Sequence, residues 1–98
     1  MSSETTWPQI LEAEWEPDQV ETLFDDLQHG AEILHVQVRT TPAVGLQESA
    51  ISLAEAHTLF QRNEAGAIQI RYQFGGRIWC DTLIVGPAAT RIIRTTQL

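Results

Sequence analysis

From Ala67 to Gln97 apolar and polar residues alternate through three successive runs, and the rest of the chain is organised around them. Ile68, Ile70, Tyr72 and Phe74 alternate with Gln69, Arg71 and Gln73, which predicts a strand with one dry side and one wet side. Gly75-Gly76 then suits a two-residue hairpin turn, because types I′ and II′ need positive φ that glycine adopts without steric cost. Such a turn sets Phe74 against Arg77, Tyr72 against Trp79, Ile70 against Asp81 and Ile68 against Leu83, and opposed residues share a side. One side then gathers Ile68, Ile70, Tyr72, Phe74, Trp79, Leu83 and Val85, the dry side that receives helices. The other gathers Gln69, Arg71, Gln73, Ile78, Cys80, Thr82 and Ile84.

Gly86-Pro87-Ala88-Ala89 makes a second turn, and Thr90 to Thr96 reads as the last strand of a three-strand meander. That connection sets Leu83 against Ile92 and Asp81 against Arg94. Asp81 is thereby placed on the dry side, where an ionised carboxylate without a partner costs several kcal/mol. An Asp81–Arg94 cross-strand ion pair is the expected remedy, and a structural one.

Upstream, the period changes. Val20, Leu23, Phe24 and Leu27 follow helical spacing, with Pro17 at a first-turn position, Asp18 and Glu21 near the positive end of the dipole and Gly30 at the stop. His29 falls in the last turn and is expected to serve the negative end of that dipole. Ser52-Leu53-Ala54-Glu55 is a capping box that opens a second helix, whose buried stripe is Leu53, Ala56, Leu59 and Phe60 and whose end lies at Asn63 to Gly66. His57 is expected beside that stripe as an exposed, polar residue. Between the helices, Ile33 to Thr40 reads as a strand with Leu34, Val36 and Val38 inward and His35, Gln37 and Arg39 outward. Thr41 to Ala50 has no clear period and reads as a long loop. Residues 1–6 are polar and expected to be mobile, and in residues 7–16 the alternation Leu11-Glu12-Ala13-Glu14-Trp15-Glu16 favours an extended segment over a helix.

The fold expected is α+β: two helices packed on one face of a small, mostly antiparallel four-stranded sheet ending in a three-strand meander. Residues 1–16 form an acidic, Trp-containing, partly flexible N-terminal segment, and residues 17–98 the single domain. At 98 residues, 43% hydrophobic and 19% charged, the chain is expected to be one soluble globular domain. The N-terminus has neither the basic nor the apolar part of a secretory signal, no apolar run reaches bilayer length, and a lone Cys80 has no internal disulfide partner. A cytoplasmic location without membrane contact is the default expectation.

Charge alters this picture by its location. Residues 1–32 hold nine acids and no Lys or Arg, whereas residues 33–98 hold four acids and six Arg. The chain has no Lys at all, which fits the codon bias of an Arg-favouring, prokaryotic-like genome or a use for the rigid bidentate guanidinium. A net charge of −7 argues against sequence-independent nucleic-acid binding, which depends on phosphate neutralisation.

The wet side is therefore the candidate site. Gln37, His35 and Arg39 line up with Gln69, Arg71 and Gln73, and Arg91 joins them from the last strand. Such a comb of multi-donor side chains is either a solvated face or a flat surface for an anionic or peptide partner, with Arg39, Arg71 and Arg91 as anchors. A third possibility is that the Glu12/Glu14/Glu16 segment lies across it. The three His and the Cys show no ligand spacing, and no phosphate loop or nucleophile elbow is present, so neither metal nor cofactor is expected. The expected function is a non-enzymatic cytoplasmic binding or accessory protein that offers the polar face or the acidic segment to another protein. It is expected as a monomer, or as a homodimer through an exposed final strand bearing Ile92 and Ile93. The rivals are a single-stranded nucleic-acid binder using the arginines and a small enzyme using Cys80, His35 and Asp81.

Overall fold

The computed structural model describes residues 9–41 and 48–97. Their order is β1 (Gln9–Trp15), α1 (Pro17–Gly30), β2 (Glu32–Thr40), β3 (Glu48–Ala50), α2 (Leu53–Gln61), β4 (Ala65–Phe74), β5 (Arg77–Val85) and β6 (Thr90–Gln97). All six strands join one antiparallel sheet in the order β1-β6-β5-β4-β2-β3. The class is α+β with two helices, but the sheet is larger than the expected four strands. The additions are the acidic segment, which becomes β1, and the three residues of β3.

The β4–β5–β6 meander takes the register that its turns dictate. Gly75 and Gly76 both have positive φ, 62° and 78°, and Tyr72 pairs with Trp79, Ile70 with Asp81, and Asp81 in turn with Arg94. Ile68, Ile70, Leu83 and Ile92 are fully buried beneath the helices. Phe74, expected on the dry side, is 57% exposed at the hairpin tip.

Helix α1 begins with Pro17, and the Glu16 backbone N–H donates to Gln19 Oε1 at 2.9 Å. It buries Val20, Leu23, Phe24 and Leu27, the stripe that its spacing predicts. The His29 ring donates from Nδ1 to the Asp25 carbonyl at 2.8 Å, within the last turn. Helix α2 carries the capping box intact: the Glu55 N–H donates to Ser52 Oγ and the Ser52 N–H to Glu55 Oε1, both at 3.0 Å. It ends where Asn63 takes a left-handed φ of 58°.

The two helices are fastened to each other through His57, which is half-buried rather than exposed. Its ring stacks on Phe24 with centroids 4.5 Å apart, and Nε2 donates to Glu21 Oε1 across 2.6 Å. Phe24 also meets Phe60. Long-range packing of this kind leaves no mark in local periodicity.

Two irregularities correct the reading of β2 and its neighbours. A bulge lies between Ile33, opposite Tyr72, and His35, opposite Arg71. Leu34 is the extra residue and is 43% exposed, while Ile33 packs against the core in its place. The final strand β6 is not an edge either, since β1 pairs along it from Gln9↔Thr96 to Trp15↔Thr90. The outer strands are β1 and β3. The expected mobility of residues 1–6 concerns positions outside the described residues.

Candidate functional site: an open sheet face

Helices cover one side of the sheet only. Because opposed residues share a side, the pairings assign the uncovered side row by row. His35, Arg71, Cys80 and Thr95 form one row, Gln37, Gln69, Thr82, Ile93 and Glu12 the next, and Arg39, Ala67, Ile84, Arg91 and Glu14 a third. Gln73 sits beside Ile78 in the row nearest the hairpin tip. The seven residues expected on this face (Arg39, Arg71, Arg91, Gln37, Gln69, Gln73 and His35) are all on it.

Two isoleucines near the ends of the central strand are exposed on this face. Ile78 is 39% and Ile84 43% exposed, both on β5, and nothing among the described residues lies over them. Charges of both signs stand on either flank of β5. Glu12 and Glu14 stand on the β1 flank, and Arg91 hydrogen-bonds and ion-pairs with Glu12 rather than pointing free. Arg71, His35 and Arg39 stand on the β4–β2 flank with Glu32, which pairs with Gln73, and Glu48 of β3 lies in register with Arg39; Arg71 forms no ion pair with any described residue. The acidic segment thus contributes to the face from its edge instead of lying across it. Alternation revealed the two glutamates as one side of a strand, but no local signal says which strand they join.

The opposite side holds the buried polar group. Asp81 has 0% exposure, and its carboxylate accepts from Arg94 Nε and Nη2, both at 2.9 Å, and from the Tyr72 hydroxyl at 3.0 Å. Three donors, two of them charged, satisfy a group that would otherwise be costly to bury. Burial first, and then the Asp81 carboxylate, hold the Tyr72 phenol well above the usual tyrosine range. Hydrogen bonding to Asp81 raises Arg94 above its already high value. A phenol and a guanidinium so held do not exchange protons near neutral pH, so the cluster is structural.

The three residues of the enzyme alternative are not brought together. Cys80 and His35 share a row, but Arg71 lies between them, two strand spacings or ~10 Å apart in all. Asp81 points to the other side of the sheet. Burial, followed by the neighbouring Asp81 carboxylate, pushes the Cys80 thiol up, while Arg71 and a hydrogen bond with Thr82 pull it part of the way back. A half-buried thiol of raised pKa is a poor nucleophile.

No group of three or more His, Cys, Asp or Glu among the described residues could hold a metal ion. No helix of the structure is long and apolar enough to cross a membrane. Open clefts exist beside α1 and α2, including one lined by Pro17, Glu21, Gln61 and Pro87, where Glu21 already accepts from His57 and from Gln61 Nε2 at 3.2 Å. No family model, curated protein or solved structure matches the chain.

Proposed function

We propose that this chain is a small non-enzymatic binding or accessory protein of the cytoplasm that offers its uncovered sheet face to a protein partner. The observation that carries this reading is the exposure of Ile78 and Ile84, near the two ends of the central strand of an Arg- and Gln-bearing face, while the helices cover only the other side. Exposed apolar side chains set among arginine and glutamine on one face suit a protein interface. A face that served only solvation would keep its central strand polar.

The nucleic-acid alternative is weaker on two counts. Arg91 is engaged by Glu12, and no aromatic side chain stands among the described face residues for a base to stack on. The enzyme alternative is weakened because Cys80, His35 and Asp81 do not come together.

A tagged protein used to capture partners from its source cell tests the reading, run beside Arg71→Ala and Ile84→Lys. Loss of the same partner in both variants, with the fold intact by circular dichroism, is the expected result. A partner retained by both places its binding elsewhere on the molecule.

A further inference from the structure

Apart from the open face, we propose that the outer edge of β1 is a strand-addition site, which takes an extended segment of a partner protein with alternating cationic and apolar residues. The sheet has two outer strands, and they end it differently. β3 is three residues long, too short to template a neighbour. β1 runs for seven, and its register with β6 passes from Gln9↔Thr96 to Trp15↔Thr90 without a shift, whereas the β2–β4 ladder shifts twice. Neither a proline nor a bulge interrupts it. In an antiparallel ladder only alternate residues bond to a given neighbour, so about half of the β1 backbone groups turn outward. No strand among the described residues pairs with them.

The side chains select the occupant. Glu12 and Glu14 lie on the open side of β1, both exposed, and Glu14 forms no ion pair with any described residue. The two arginines of the adjoining β6 are already engaged, Arg91 by Glu12 and Arg94 by Asp81. An incoming strand therefore meets carboxylates with no cation to spare, and opposite Glu14 it needs Lys or Arg. On the other side of the strand Leu11 is 45% exposed, beside the half-buried Ala13 and Trp15. Residues that alternate with the cations are accordingly apolar. In this mode main-chain hydrogen bonds give affinity and the alternate side chains give selectivity. The same acids disfavour a second copy, because antiparallel pairing centred on Glu12 sets it against its own equivalent.

A short peptide alternating lysine with valine is the probe, titrated into the full chain by calorimetry and located by amide hydrogen exchange. It is expected to bind, to slow exchange in β1, and to bind less well as salt rises. Glu14→Arg weakens it several-fold and strengthens binding of the same peptide with glutamate in place of lysine. Glu14→Gln makes a milder form of that test should the first variant misfold by circular dichroism. Methylating the peptide's backbone nitrogens keeps its charge and abolishes binding. Arg71→Ala, three strands away, leaves the affinity unchanged.

No binding at millimolar peptide overturns the proposal, as does indifference to both Glu14 variants or protection outside β1. Undiminished binding of the methylated peptide also overturns it, since charge attraction alone then explains the contact. Binding lost on Arg71→Ala moves the peptide onto the open face, which discards the edge site and leaves the reading of that face standing.

Discussion

Asp81 and Arg71 lie on neighbouring strands, within one residue of register, yet they occupy opposite electrostatic worlds. Asp81 is wholly buried and accepts three hydrogen bonds within the protein. Arg71 is exposed and has no ion pair with any described residue. On the covered side the buried Asp81 is answered by Arg94 and Tyr72, because the low dielectric there makes an unanswered charge too costly. On the open side Arg91 pairs with Glu12, while Arg71 forms no ion pair with any described residue. The contrast teaches where stability resides and where recognition resides: removal of a charge should damage folding on one face and association on the other.

The strongest way to break that contrast is Arg94→Met. It leaves a buried carboxylate without its countercharge and should lower unfolding free energy by about 3–5 kcal/mol, measured by urea denaturation. Adding Asp81→Leu should recover much of the loss, since an apolar pair of suitable volume replaces the ions. No recovery would mean that the two positions do not act as a pair.

Tyr72→Phe is smaller in effect and should cost about 1–2 kcal/mol for the hydrogen bond to Asp81. It also has a pH signature. The folded Tyr72 phenol titrates above its unfolded value of about 10, so the native state holds that proton more tightly. The resulting stability is fully present below about pH 10 and is lost as pH rises through the folded value. Stability curves against alkaline pH should therefore fall less steeply for Tyr72→Phe than for the natural protein.

The smallest effect belongs to the open face. Arg71→Ala should change stability by no more than about 0.5 kcal/mol, as for an exposed residue outside any internal network. It removes the cation that draws the Cys80 thiol pKa downward, so the thiol should react more slowly with a disulfide reagent at pH 8 than in the natural protein. An unchanged or faster reaction would show that Arg71 does not sense Cys80.

Sequence alone determined the elements whose causes are local. Two glycines required a tight hairpin, and that hairpin settled which side chains of β4 and β5 face inward. Ser52 and Glu55 marked a helix start, and the spacing of Val20, Leu23, Phe24 and Leu27 marked a buried stripe, because periods of 2 and 3.6 are properties of the chain itself. The tertiary structure decided what depends on distant partners: that Gln9–Trp15 closes over β6, that a bulge turns Leu34 outward and Ile33 inward, and that His57 ties α2 to Glu21 and Phe24. Strand order sets whether Glu12 and Glu14 flank the arginines or cover them, and neighbours in a sheet are chosen by burial across the whole molecule rather than by adjacency along the chain.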